Sequence, residues 1–542
     1  MPQESPVGTG TAAVRRLVEN LDSNDHAFVP DIGHEIYHEL REHHRMAEYA
    51  DPVDRQTKLR GQRTEPAESE HTALQLDRVR QRAIVPLLHS VVAAGLPLVT
   101  ATNAERGLRT PLSPVQEFFR AGQAAAPEGN AHNCLMAWWI DGRLNHAALS
   151  AATGDLHHRH EALHAAYLPA DALSGPFANP SAGHAAPEVR RLPKSPDEQA
   201  AHAALVAALR EPLDPGTGRN WRTVTVQNAA TGREMLGIAV HHIAFDGGSE
   251  SVLARELSHC YAARLAGLEP SFPNPAPTLA QLADDRRAEL SLVDRAARHA
   301  HRAEVLRGIP ELPVVPPRPD ERTVQPTRAH TYRLNPATWS TVAGRARQLR
   351  ATPFTVLLHA YAEALRTVTA CSDFGIGVPI VRRGTALRTE SLGCFIDMVP
   401  LRLRTEEGAA LPFDVVRRAV ADALADQDVL FVDVTGLAGR PSAARTPLPW
   451  SMFALQNHAR ADLELPGCRA EFRHLPRQHS AFGLTTEVWP RPDGSALIEV
   501  THRADLVSAS FVEAVVREFI ARLPLPAHPP FPTIPDRRRA KR

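Results

Sequence analysis

The chain has 542 residues, 43% of them hydrophobic, with 61 Lys and Arg against 61 Asp and Glu, so its formal net charge at pH 7 is zero. That length suits two or three domains with sizeable cores, and the lack of a global basic excess argues against nucleic acid or an anionic membrane as partner. Cys134, Cys260, Cys371, Cys394 and Cys468 are scattered with no C-x-x-C spacing, the usage of a reducing cytoplasm rather than of a disulfide framework or a zinc ribbon.

Residues 1–12 lack the basic-then-apolar order of a secretory signal, and no apolar run approaches the ~20 residues that span a bilayer. A cytoplasmic protein is expected. Residues 1–104 read as a mainly helical N-terminal extension of unknown role, with a polar loop over 51–70 and a helical pattern from Leu74 to Val92. Within it, His34-Glu35-Ile36-Tyr37-His38 fits the zinc-protease pattern H-E-x-x-H, and on a helix the two histidines would share a face. With 27 histidines in the chain, chance matches are common, and no third ligand follows at a suitable spacing. The stretch therefore reads as a solvated amphipathic helix, and no metal is assigned.

Residues 105–307 form a first lobe. Asn133 to Ile140 is expected as a strand, Asp141-Gly142 as a turn, and Leu144 to Leu163 as helix. Trp221 to Val226 and Met235 to Val240 are β-branched apolar runs around Asn228–Gly232, which predicts a hairpin. Asp246-Gly247-Gly248 permits a sharp turn. Ser249 is read as the N-cap of the next helix, with Glu250 in its first turn and Leu253, Leu257, Tyr261 and Leu265 as its stripe over roughly four turns. Prolines crowd 308–326 and mark a crossing into a second lobe, 308–525. There, helices are expected over Pro336–Leu349 and from the N-cap Thr352 with Pro353 at N1, and strands over Asp373–Pro379 and Cys394–Leu403. Residues 526–542 are a Pro- and Arg-rich tail, read as disordered. Helices and strands alternate in both halves, so the class is α/β or α+β with two lobes.

The most informative stretch is His241-His242-Ile243-Ala244-Phe245-Asp246-Gly247. A neutral imidazole moves protons near pH 7 better than any other side chain. Strand alternation lets one histidine of the pair face reactants while the other packs. The positive end of the following helix is expected nearby, favouring a neutral, basic ring. A lone histidine at a strand end is more often structural; here four fixed positions in a strand–turn–helix setting point to chemistry.

The chain resembles the condensation domains of nonribosomal peptide synthetases, within the chloramphenicol-acetyltransferase-like superfamily, over about residues 108 to 525. The resemblance rests on the histidine motif and on four further stretches in matching order. These are Leu112-Ser113-Pro114-Val115-Gln116; Arg159-His160-Glu161-Ala162-Leu163; Gly377-Val378-Pro379 through Arg383 with Gly393 to Asp397 and Pro400-Leu401-Arg402; and Met452 to Asn457.

The resemblance implies two similar lobes in a V-shaped pseudo-dimer with a central tunnel and His242 at its midpoint. It implies that His242 accepts a proton from, or aligns, a nucleophile attacking an acyl thioester held on a carrier protein's phosphopantetheine. His241 would then be structural, Asp246 ion-paired with Arg383, and Gly247 present for room. Ser113, Gln116, Asp397, Trp450, Gln456 and Asn457 are the tunnel or substrate candidates. No cofactor is bound in this reading, because phosphopantetheine arrives with the substrate. His164-Ala165 replaces a usual Arg-Thr, and Asp397 stands where an asparagine is usual, which points to an unusual acceptor, cationic or hydroxylated, or to drift.

With no adenylation or carrier segment recognised, a free-standing acyltransferase making an amide or ester in natural-product biosynthesis is expected. Its partners would be an acyl or peptidyl carrier protein and a small-molecule or carrier-bound acceptor. The alternatives are a coenzyme A- or polyketide-dependent acyltransferase of the same superfamily, and a non-catalytic domain that recruits a carrier protein or other partner.

Overall fold

A computed structural model of the chain describes residues 109–523 except 128, 172–173, 183–184, 292–294, 311, 313–326, 428, 430–450 and 476–481, and four short strands that precede them. Those strands are β1 (Ala27–Phe28), β2 (Thr57–Leu59), β3 (Gln62–Thr64) and β4 (Val99–Thr100), with β1 paired to β4 and β2 to β3, both antiparallel. The pair β2–β3 falls inside the polar stretch expected to be a loop, because strands of three residues are too short to show an alternating pattern. The H-E-x-x-H stretch, the helical pattern from Leu74 to Val92, most of the Pro-rich crossing and the basic tail lie outside the described residues.

The contacts divide the chain into a smaller unit, 1–112 with 167–181, and a larger one, 113–166 with 182–542. In the smaller unit β5 (Thr110–Pro111) pairs with β8 (Phe177–Asn179), Leu112 N–H donates to the Pro176 carbonyl at 3.0 Å, and the Arg109 guanidinium covers the Phe177 ring at 4.5 Å. A third strand, β7 (Ala166–Leu168), completes that sheet.

The first half of the larger unit runs α1 (Pro114–Ala125), β6 (Asn133–Gly142), α2 (His146–Arg159), α3 (Glu161–His164), β9 (Arg190–Arg191), α4 (Glu198–Leu209), β10 (Trp221–Gln227), β11 (Glu234–His241), α5 (Gly247–Leu265), α6 (Leu279–Ser291) and α7 (Arg295–Leu306). The expected hairpin is β10–β11, in register from Trp221 opposite Val240 to Gln227 opposite Glu234. Ala201, Leu205 and Leu209 of α4 close one sheet face over Ala137, Trp139, Val224, Val226 and Met235. The residues alternating with these, Met136, Trp138, Ile140, Leu236 and Ile238, are also fully buried, so both faces are covered and the strands read as near-continuous apolar runs.

The second half runs β12 (Thr327–Leu334), α8 (Pro336–Gln348), α9 (Pro353–Thr369), β13 (Asp373–Val381), α10 (Ala386–Thr389), β14 (Ile396–Arg404), α11 (Phe413–Ala425), β15 (Ser451–Leu455), β16 (Cys468–Arg473), β17 (Leu484–Pro490), β18 (Ala496–Arg503) and α12 (Ala509–Arg522). A six-stranded mixed sheet has the order β12-β18-β17-β15-β13-β14. Thr352 caps α9 as expected, its hydroxyl accepting from Thr355 N–H at 3.2 Å. Leu357, Leu358, Tyr361 and Leu365 of α9 pack with Phe374, Ile376, Phe453 and Phe519 in the core.

One strand departs from the two-lobe division expected from sequence. β16 comes from the second half, yet it forms the edge of the first half's five-stranded sheet, β16-β6-β11-β10-β9, opposite residues 137–142 of β6. Asp141-Gly142, expected as a turn, is instead the end of β6, because it gains this partner. Trp138 Nε1 donates to the Ala461 carbonyl at 2.6 Å, and Glu464 N–H to Ser258 Oγ on α5 at 2.9 Å, anchoring the approach to β16. Among the described residues, no helix is long and apolar enough to cross a membrane. All five cysteines are free thiols.

Candidate active site

β11 ends at His241, and His242–Ala244 form one turn of 3₁₀ helix. Both histidines are anchored through their backbones: His241 N–H donates to the Asn220 carbonyl and His242 N–H to the His132 carbonyl, each at 2.7 Å. Phe245 and Asp246 return to extended backbone before α5 starts. The N-cap of α5 is Asp246 rather than Ser249. The Asp246 carboxylate accepts from Ser249 N–H at 2.9 Å, and Ser249 lies inside the first turn. α5 is held from below by the second motif stretch, since Arg159 Nε and His160 Nε2 both meet Glu256 on that helix, at 3.0 and 2.6 Å.

The two imidazoles are fixed in opposite tautomers. His242 Nδ1 lies 2.7 Å from the Phe245 carbonyl. A carbonyl oxygen only accepts, so Nδ1 carries the proton and Nε2 carries the lone pair of the neutral ring. In His241, Nδ1 accepts from Ile243 N–H at 3.2 Å, and Nε2 donates to Gln123 Oε1 at 3.3 Å. His241 is fully buried, and burial, helped by His132 and His242, pushes its pKa down to about 3. It is a neutral packing residue, whereas His242 presents a basic nitrogen. Phe119 lies parallel to the His242 ring, with centroids 4.7 Å apart and planes 16° apart.

The positive helix end expected to face the imidazole is occupied by the Asp246 carboxylate and, behind it, a guanidinium. Asp246 is fully buried. Its Oδ1 accepts from Ser249 and, at 2.7 Å, from Arg383 Nη2, while Oδ2 accepts from Phe395 N–H at 3.0 Å. The expected pairing of Asp246 with Arg383 is therefore present and links the turn to the loop between β13 and α10. Arg383 Nη1 also donates to the carbonyls of Arg388 and Ser391, at 2.5 and 2.8 Å, and the guanidinium lies 4.7 Å from the Phe395 ring centroid. Both motif glycines are close-approach positions. A Cβ on Gly247 would stand 3.2 Å from the His458 ring, and one on Gly248 only 2.5 Å from Arg383 Nε. Gly248, expected only as part of a sharp turn, has the tighter fit.

Of the remaining candidates, Ser113 and Gln116 form a capping box at the start of α1, and Gln116 Nε2 donates to the Ile243 carbonyl at 3.0 Å. Ser113 thus fixes the start of α1, and the Gln116 side chain ties that helix to the turn that carries His242. Asp397 is buried and held by Arg382 Nη2 at 3.0 Å. Burial raises its pKa, with Arg382 pulling the other way. With an arginine already against it, Asp397 does not by itself point to a cationic acceptor. Gln456 binds Glu487 at 2.5 Å, Asn457 is exposed, and Trp450 lies outside the described residues. No trio of His, Cys, Asp or Glu suited to a metal occurs among the described residues.

Sequence reasoning missed Phe119, Gln123, His132 and His458. The first two share a helical face with Gln116, a spacing of three and four residues that could have revealed them. His458 reaches Glu250 of α5 at 3.2 Å. Burial lowers its pKa, but the bond and charge of Glu250, then the charges of Asp246 and Glu487, outweigh that and leave it raised.

The Condensation domain family matches residues 109–524. The nonribosomal peptide synthetase agiA of Aspergillus flavus is 28% identical over 396 residues, which are 71% of this chain and 5% of that one. The phosphinothricin tripeptide synthetase PhsB of Streptomyces viridochromogenes is 32% identical over 295 residues, 52% of this chain and 24% of that one. The chain thus spans a quarter or less of the length of these relatives. The solved condensation domain of the monacolin K polyketide synthase MokA superposes with a TM-score of 0.64 at 20% identity, covering 77% of this chain and 96% of that one. At that identity the likeness speaks for the fold. The histidine turn, its arginine clamp and the two sheets around them therefore stand in a protein that belongs to the Condensation domain family.

Proposed function

We propose that the chain is an acyltransferase that joins an acyl or aminoacyl thioester, carried on the phosphopantetheine arm of a carrier protein, to an amine or hydroxyl acceptor in natural-product biosynthesis. The observation that carries this reading is the tautomer of His242, which places the proton on Nδ1 toward Phe245 and the lone pair on Nε2. As the acceptor's nitrogen or oxygen adds to the thioester carbonyl, Nε2 takes its proton. The tetrahedral intermediate then expels the thiolate, and the imidazolium returns the proton to sulfur. The Nδ1–H bond to Phe245 persists through both steps, so the ring need not turn. No resident cofactor is needed, because the pantetheine arm comes with the donor. The five free thiols fit a cytoplasmic location.

A polyketide or coenzyme A thioester as donor is the second reading, and one assay decides between the two. The test is to incubate the chain with a loaded carrier protein, or with the matching coenzyme A thioester, and a panel of amines and alcohols. His242→Ala is expected to lose at least about 10²-fold in rate, the usual scale for a positioned proton acceptor. Equal product from both proteins would sink the mechanism, and partner binding without turnover by either would support a recruitment role instead.

A further inference from the structure

α1 presents Gln116, Phe119 and Gln123 on one face, at spacings of three and four residues. Gln116 holds the Ile243 carbonyl and Gln123 holds His241, while Phe119 between them lies parallel to the His242 ring at 4.7 Å. Phe119 is itself set edge-on against His132, with ring centroids 5.1 Å apart and planes at 67°, and the His132 carbonyl receives the His242 backbone N–H. Its neighbour Phe118 is 42% exposed, whereas Phe119 is 9% exposed, so the two adjacent aromatics have different surroundings. The imidazole is thus fixed along its edge by Phe245 and across its face by a benzene ring.

The face of a benzene ring carries negative charge density and attracts a cation above it. In its neutral form the His242 ring gains little from this. Once Nε2 has taken a proton, the imidazolium lies over that face and gains more. An interaction that strengthens only as the transition state forms raises kcat and leaves KM alone.

We propose that Phe119 is a positioning residue for the transfer: it sets the plane of His242 so that Nε2 meets the attacking atom, and it stabilises the imidazolium that results. This rests on His242 being the proton acceptor. The test compares Phe119→Leu, which keeps an apolar side chain of similar bulk without a π face, with Phe119→Tyr, which keeps the ring. His132 and His241 remain in place in both. Two readouts are used: steady-state kinetics with a loaded carrier protein and an amine, and NMR titration of ¹³C-labelled histidine in the full chain, with the His242 signal assigned from its loss in His242→Ala.

Phe119→Leu should lower kcat about tenfold, a change of ~1.4 kcal/mol, with KM within about twofold. It should also lower the His242 pKa by about half a unit to one unit, because the charged form loses its partner. Phe119→Tyr should restore both. A Leu variant that shifts only the melting temperature, with the His242 titration and kcat unmoved, would overturn the proposal, as would a Tyr variant as impaired as the Leu one. Full activity in His242→Ala would instead overturn the proton-acceptor reading itself, whereas an essential His242 with an indifferent Phe119→Leu removes only the positioning role.

Discussion

Removing the Asp246 carboxylate should cost both stability and rate. Asp246→Ala deletes the N-cap of α5, leaves Phe395 N–H without its acceptor, and strands a guanidinium whose side chain is 10% exposed. Breaking a buried ion pair by removing one partner costs about 3–5 kcal/mol. Arg383 keeps the Arg388 and Ser391 carbonyls and the face of Phe395, so the expected loss is at the lower end, ~3 kcal/mol. Domains have total stabilities of ~5–15 kcal/mol, so the variant should fold, with a urea midpoint well below that of the parent at unchanged slope. Tryptophan fluorescence can follow the transition. Turnover should fall by ~10²-fold as well, because the carbonyl that orients His242 belongs to the residue next to Asp246 and would be displaced with it. Combining Asp246→Ala with Arg383→Met removes the stranded charge, and the double variant should be at least ~1 kcal/mol more stable than the sum of the two single losses. A wild-type midpoint for Asp246→Ala, however slow the variant, would refute the reasoning.

Gly248→Ala places a methyl group 2.5 Å from Arg383 Nε, on a side chain pinned by several bonds. It should cost ~1–3 kcal/mol and exceed the loss in Gly247→Ala, whose nearest neighbour is the His458 ring at 3.2 Å; comparison of the two melting temperatures decides it. The buried His241 makes the fold acid-sensitive. Its folded pKa is about 3 against ~6.5 when unfolded, so between these values only the unfolded chain binds this proton. The stability it protects is complete above pH ~6.5 and is lost as pH falls, with ~2 kcal/mol gone at pH 5. His241→Asn, which can still accept from Ile243 N–H, should flatten the decline in urea midpoint between pH 8 and 5. An equal decline in both proteins would show that His241 is not its source.

The elements of both halves were legible where a local rule dictates them. The β10–β11 hairpin follows from two β-branched runs around a turn, and α9 from Thr352 and Pro353 at its start. The pairing of Asp246 with Arg383 could not come from local pattern, since the partners stand 137 residues apart; it came from the family resemblance. The N-cap of α5 was misjudged because Asp246 and Ser249 are both good caps, and only the backbone at Asp246, extended at φ −141° and ψ 176°, decides between them. Phe119 escaped notice because an aromatic on an amphipathic helix reads as core, and nothing in the order of residues says that it will lie against a histidine 123 positions later. The strand β16 was missed for a different reason: its weakly alternating residues have no partner nearby in sequence, and its place is fixed by an unpaired edge in the other half.

That strand bears on how such a domain can be recombined. The proline-rich crossing near residue 308 looks like a seam, but a fragment ending there would lack residues 468–473 and would bare the edge of β6 from Ala137 to Gly142. Exposed edges of this kind template aggregation. The same fragment would hold Asp246 without Arg383 and so would carry the histidines on an unclamped turn. Anyone exchanging pieces between relatives should therefore move the whole span from 109 to 523. Two fragments split at the crossing should regain activity only when the second supplies its strand and its arginine together.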